Sequence, residues 1–248
     1  MVKLQDRSDS KGLGGRWRAL ALGFKRMALR ALVLLFGMPF LLSLLYTHMP
    51  PPISSFMIFK AFSGHGLDYR YVPMSRVSRH LGRAVIAAED TRFCEHNAVD
   101  WQQFAYAVQD MWQGDRQRPR GASTITMQVA RNLFLWPGRS YIRKAIEIPL
   151  AMWIDLIWSK RRILEIYLNI AEFGPGIYGA EAASRHHFNK AATDLTGREA
   201  LLLAAVLPNP IKRIANDPSR GVRLYAGRIQ SRVAGTEPFL DCVGLKAP

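Results

Sequence analysis

Residues 142–170 read IRKAIEIPLAMWIDLIWSKRRILEIYLNI. The segment is rich in Ile, Leu, Ala and Trp and is apolar nearly all round in parts. That pattern suits a helix buried at the centre of a core better than one lying on its surface. The same period recurs on both sides. Upstream, Val77, Leu81, Ala84, Val85 and Ala88 keep helical spacing, and Val129 and Leu133 share one face of a helix over 126–135. Downstream, residues 200–207 form an apolar helix stopped by Pro208-Asn209-Pro210. No alternating strand pattern, internal repeat or low-complexity segment occurs. The expected fold class is mainly α. The Arg- and Gly-rich C-terminal stretch shows no clear pattern.

The chain has 248 residues, a length that suits one sizeable domain plus an appendage. Hydrophobic residues make up 49%, which excludes wholesale disorder. A formal charge of +15 implies an anionic partner: nucleic acid, an anionic lipid surface or a phosphorylated substrate. The two cysteines, Cys94 and Cys242, make no disulfide framework and no zinc site. A disulfide between them is not expected, since nothing in the sequence places the two sulfurs together.

Residues 27–47 read MALRALVLLFGMPFLLSLLYT, with no charge from 31 to 46. This is about the 20 residues needed to cross a bilayer. Arg30 can snorkel to the interface, and Pro39 is tolerable in a membrane helix. Eight basic residues up to Arg30 stand against only Asp6 and Asp9. The positive-inside rule therefore puts the N-terminus in the cytoplasm and the rest of the chain outside. A cleaved signal peptide is the rival reading, but no small-residue cleavage site follows the apolar core. The expected organisation is a basic tail (1–26), a transmembrane anchor (27–47), a linker and membrane-proximal segment (48–75) and a main domain (76–248). Within the linker, Pro50-Pro51-Pro52 reads as a stiff spacer. The apolar run at 56–62 reads as core, or as a patch resting on the bilayer.

Four segments carry candidate chemistry. In AVIAAEDTRFCEH (84–96), a wall of small apolar residues delivers Glu89 and Asp90. A carboxylate presented from such a wall loses hydration, which raises its pKa and suits proton transfer near neutrality. In RGASTITMQVARN (120–132), the hydroxyls of Ser123, Thr124 and Thr126 can cap the following helix or hold a polar ligand. In RSYIRKAIE (139–147), Arg143 and Lys144 lie on the helical face of Glu147, and Pro149 follows. In KRRILEIYLN (160–169), Glu165 and Asn169 share a face and read as structural pins.

Together and in this order, the four segments resemble the peptidoglycan glycosyltransferases of glycosyltransferase family 51, and most closely the monofunctional biosynthetic transglycosylases. The pattern EDxxFxxH appears as Glu89, Asp90, Phe93 and His96. The pattern GxSTITQQ spans Gly121 to Gln128, RKxxE is Arg143, Lys144 and Glu147, and KxxILExYLN runs from Lys160 through Glu165 to Asn169. The resemblance covers about residues 72–213. Two positions depart from it: Ala98 stands where the family has glycine, and Met127 where it has glutamine. A glutamine there would complete a capping box with Thr124, which Met127 cannot do.

The resemblance implies a lysozyme-like, mainly α domain with a membrane-proximal lobe. It also implies polymerisation of lipid II into β-1,4-linked glycan with inversion and release of polyprenyl diphosphate. On this likeness Glu89 is the general base and Glu147 the second catalytic glutamate, near the departing diphosphate or a metal held through it. Arg131 and Arg139 match the cations set against the diphosphate. Asp90, Ser123, Gln128, Arg143 and Lys144 match substrate-contacting or supporting groups, while Phe93, His96, Lys160, Glu165 and Asn169 belong to the structural motif. No tightly bound cofactor is implied, although a divalent cation (Mg or Mn) can assist. The expected partners are lipid II, lipid-linked glycan, the membrane and other cell-wall synthesis proteins, with no nucleic acid. The expected place is the bacterial inner membrane, with the catalytic domain periplasmic. A lytic muramidase and a tethered nucleic-acid-binding protein are the alternatives.

Overall fold

The computed structural model describes residues 9–64, 66–112, 123–138 and 140–245. The chain divides into two compact units, Met1–Leu45 and Tyr46–Pro248. The first is made by helix α1 (Asp9–Tyr46), which contains Pro39 and the whole apolar stretch except Thr47. Among the described residues, no helix is long and apolar enough to cross a membrane. The side chains of Ala31, Leu32, Leu34, Leu35 and Phe36, in the middle of that stretch, lie outside the described ones.

The second unit is mainly helical. It comprises α2 (Ser55–Phe62), α3 (Arg79–Glu89), α4 (Trp101–Trp112), α5 (Ile125–Phe134), α6 (Tyr141–Ile157), α7 (Lys160–Ile170), α8 (Ala180–Phe188), α9 (Gly197–Val206) and α10 (Arg220–Thr236). A 3-10 helix over Glu237–Val243 follows α10. Several starts are fixed by local chemistry. Thr124, Ser140, Ser159 and Thr196 each accept a hydrogen bond from a backbone N–H of the first turn of α5, α6, α7 and α9. At Thr196, Glu199 closes a capping box.

The stretch expected as one central helix is two. Backbone at Trp158 turns extended, and Ser159 caps a new helix by accepting from Arg162 N. Pro149 does not end α6, which runs on to Ile157. Only α7 is buried nearly all round, through Ile163, Leu164 and residues 166–170. Along α6, Ile142, Ala145, Pro149, Met152 and Leu156 are exposed, so its outer stripe is apolar and uncovered among the described residues.

Three very short strands also form. They are β1 (Asp68–Tyr69), β2 (Glu172–Gly174) and β3 (Ile177–Tyr178), in the order β1-β3-β2, with β3 parallel to β1 and antiparallel to β2. Strands of two or three residues are too short to show a period of two, which is why the sequence conceals them. Gly179, after β3, has φ +85, and a Cβ there would lie 2.5 Å from the carbonyl oxygen of Asn169. Only glycine lets α7 and the sheet approach so closely.

Segment 48–75 packs as part of the second unit. Met57 is fully buried, while Phe59 and Phe62 on the other side of α2 are exposed. Asn169 pins this segment to α7: its side chain accepts from Val72 N at 2.8 Å and donates to Val72 O at 2.9 Å. Glu165 accepts from Met74 N at 2.7 Å and from the Tyr71 hydroxyl at 2.6 Å.

Cys94 and Cys242 form a disulfide across 148 residues, contrary to the expectation from sequence. Packing brings the two ends together. Leu240, Val243 and Leu245 are buried, Arg83 on α3 donates to Leu245 O at 2.7 Å, and Arg161 on α7 donates to Val243 O at 2.9 Å. A Cβ at Gly82 would strike Leu245. Closing so long a loop restricts the unfolded chain. Reduction, or Cys242→Ser, is expected to cost about 2–4 kcal/mol. Thermal melts with and without a dithiol test this, and unchanged melts would show that the tail packs as well without the bond.

Candidate active site

Helix α3 decides where Glu89 goes. Leu81, Ala84, Val85, Ile86 and Ala87 are buried, while Ala88 and Glu89 emerge from that core at the helix end. They open onto a cleft of about 890 Å³, lined also by Asp90, Thr91, Arg92, Asp100, Gln103, Ser123, Thr124, Gln128, Arg131, Leu207, Pro208, Tyr225 and Arg232. Burial pushes the Glu89 carboxyl above its ordinary range, and the Asp90 charge adds to this. The hydrogen bond from Gln128 and the charges of Arg131 and Arg213 oppose it. The bond runs from Gln128 Nε2 to Glu89 Oε2 at 2.8 Å.

Asp90, next in the chain, is held differently. Oδ2 accepts from Ile125 N, at the start of α5, at 3.0 Å, and Oδ1 pairs with His96 Nε2 at 2.8 Å. Both oxygens are thus engaged in joining the loop after α3 to α5. Lys160 secures the same loop. Its ammonium donates to His96 O and to Asp155, each at 2.7 Å, and lies 4.8 Å from the ring centroid of buried Phe93.

The three hydroxyls before and within α5 divide. Thr124 caps the helix, with Met127 N donating to it at 3.2 Å. Thr126 donates to Asp155 at 3.5 Å. Ser123 lines the cleft, and its buried hydroxyl has no hydrogen-bond partner among the described residues. Met127 is fully buried, so the position that could have closed a capping box is spent on the core. Ala98 takes a left-handed conformation with φ 50. Its carbonyl accepts from the Thr124 hydroxyl, which holds the loop in that shape. For a residue with a Cβ this costs roughly 1–2 kcal/mol relative to the right-handed form.

Glu147 is not among the residues that line the cleft. Glu147 is 2% exposed, on α6, and forms an ion pair with Arg143. Arg143 Nε also donates to Gly138 O at 3.1 Å. Lys144 turns elsewhere, its ammonium 5.9 Å from the ring centroid of Phe104. Arg139 and Gly121, both singled out from sequence, lie outside the described residues.

Residues 57–231 match the family model described as Transglycosylase. The chain belongs to the transglycosylase family. Proteins named biosynthetic peptidoglycan transglycosylase are similar to it nearly end to end. That of Nitrobacter winogradskyi is 49% identical over 212 residues, covering 85% of this chain and 92% of its own. That of Agrobacterium fabrum is 46% identical over 221 residues, covering 88% and 96%. That of Rhizobium johnstonii is 44% identical over 242 residues, covering 96% and 97%.

The transglycosylase cleft contains groups that sequence reading did not single out. Tyr225 and Arg232 come from α10, in the stretch that showed no pattern. Tyr225 has two guanidinium groups near its ring, Arg213 at 5.3 Å and Arg228 at 5.8 Å from its ring centroid. Arg92, Asp100 and Gln103 line another part of the wall. A tyrosine repeatedly neighboured by arginines at helical spacing was the available signal. Tyr167 was also missed. It lies inside the motif KRRILEIYLN, which drew attention only to Glu165 and Asn169.

Proposed function

We propose that this transglycosylase polymerises lipid II into β-1,4-linked glycan strands for the bacterial cell wall. The observation that carries this reading is a desolvated glutamate, Glu89, at the wall of a large polar cleft, with Gln128 donating to it and cations around it. Glu89 takes the proton from the 4-hydroxyl of an incoming lipid II sugar as that oxygen attacks the anomeric carbon of the lipid-linked glycan. The bond to the diphosphate breaks on the opposite face, so the centre inverts. Arg131, and Arg139 by its place in the motif, oppose the charge developing on the diphosphate. Glu147 serves the leaving-group side indirectly, by holding Arg143.

A divalent cation can accompany the diphosphate. Among the described residues, no group of three or more His, Cys, Asp or Glu is placed to hold a metal ion.

The apolar stretch 27–47 serves as a membrane anchor with the basic tail in the cytoplasm and the catalytic domain outside. The proposed substrate and one structural feature support this arrangement. The lipid-linked substrate lies in a membrane, and the Cys94–Cys242 bond belongs in an oxidising compartment. Purified full-length protein incubated with labelled lipid II, with the products resolved by size, tests the reading. Long glycan is the expected product. Cleavage of finished glycan with lipid II left untouched would replace this reading with a lytic one.

A further inference from the structure

Behind Glu89 lies a second hydrogen bond in series with the first. The Tyr167 hydroxyl, on α7, donates to Gln128 Oε1 at 3.2 Å, while Gln128 Nε2 donates to Glu89 Oε2 at 2.8 Å. Tyr167 is 1% exposed. Three elements therefore meet through one amide: α7 supplies the phenol, α5 the amide and α3 the carboxylate.

An amide between a phenol and a carboxylate has two possible orientations. In the observed one, every group is satisfied: O–H donates to C=O, and N–H donates to the carboxylate. In the reverse one, the amide oxygen would face the carboxylate, which is tolerable only if that carboxylate carries a proton. The phenol biases the choice because it keeps its hydrogen. Burial, and then the Glu89 charge, raise the Tyr167 hydroxyl well above its ordinary range. Amide orientation and the protonation of Glu89 are thus coupled.

We propose that Tyr167 is a positioning residue: it fixes the Gln128 amide with its nitrogen on Glu89, so that the carboxylate stands ready as proton acceptor. The proposal rests on the reading of Glu89 as base. The other charged or titratable groups facing Glu89 are Asp90, Arg131 on α5, Arg213 before α10, and Tyr225 on α10, with Arg92 and Arg232 on the cleft wall. None of them touches the outer end of the amide in place of Tyr167.

Tyr167→Phe removes one hydroxyl and leaves the ring in the core. The expected result is a kcat for lipid II polymerisation lower by about five- to a hundredfold at neutral pH, the range for a buried amide left half-paired. KM should stay within about twofold, because no substrate contact is lost. Activity rises with pH as Glu89 ionises. This limb should move to higher pH in the variant, since the ionised form has lost its oriented donor. Adding Tyr167→Phe to Gln128→Ala should cost nothing further, because the phenol acts only through the amide. A fall in kcat with an unmoved limb, or an additive double variant, would overturn the proposal. Glu89→Gln in the same assay separates the two ideas. An inactive Glu89→Gln beside an unaffected Tyr167→Phe sinks the relay alone, whereas an active Glu89→Gln sinks the base.

Discussion

Glu89→Gln is expected to lower glycan synthesis by about 10²- to 10⁴-fold, the usual contribution of a general base. The substitution keeps the shape of the side chain, and its amide oxygen can still accept from Gln128. What is lost is the capacity to take a proton. Stability should move the other way. In the folded protein the Glu89 carboxyl is raised above its ordinary value of 4.5, chiefly by burial. The folded state therefore favours the protonated form. The stability tied to this preference is fully present below about 4.5 and is lost as pH rises through the folded pKa. Glutamine cannot ionise and never incurs that loss. The variant should melt above the parent at pH 8, and the gap should close as pH falls towards 4.5. Melts at both pH values check this, because the effects of groups remote from position 89 cancel between the two proteins. A gap that does not change with pH would mean that Glu89 is not strained by burial. Activity traded against stability in this way is common where a site holds a desolvated charge.

Arg143→Ala is expected to cost about 3–5 kcal/mol, the usual effect of leaving one partner of a buried ion pair alone. Glu147 is 2% exposed, so water cannot take over the role of the guanidinium. For a chain of this size the melting temperature should fall by roughly 10 °C or more. Arg143→Lys should recover only part of the loss. The guanidinium reaches Gly138 O and Glu147 with different nitrogens, and a single ammonium on a flexible stem does not reproduce that fork. The informative variant is the double replacement Arg143→Met with Glu147→Leu. Removing both charges together is expected to restore most of the stability. If the pair supports the leaving diphosphate, this stable variant still makes no glycan. A stable and active double variant would reduce the pair to a scaffold and leave Glu89 as the working glutamate of the two.

Much of the architecture was legible because its causes are local. Thr124 starts α5 through a bond spanning three residues, as its hydroxyl suggested, whereas the same kind of bond at Ser159 was masked by an apolar run that continues through it. The run of small apolar residues before Glu89 announced a desolvated acid, and burial of α3 from Leu81 to Ala87 is the cause of the shift in Glu89. Position 98 was legible as a departure, but not its outcome. The backbone keeps the left-handed turn at Ala98 because Thr124 and the loop hold it there. The disulfide was illegible for a similar reason. Its partners are separated by 148 residues and meet because Leu240, Val243 and Leu245 pack against α3 and α7.

Glu89 and Glu147 show most directly where the division falls. Sequence by itself determined their chemistry: one acid follows an apolar wall, and the other lies one helical turn from Arg143. Both are relations within a single helix, set by a period of 3.6 residues. Only the tertiary structure decided their circumstances. It placed Gln128, 39 residues away, on Glu89 and set Tyr167 behind it. It brought Tyr225 and Arg232 from α10 to the cleft wall and buried Glu147 of α6. Such contacts depend on how helices pack, and packing is a property of faces meeting in space that no local spacing records.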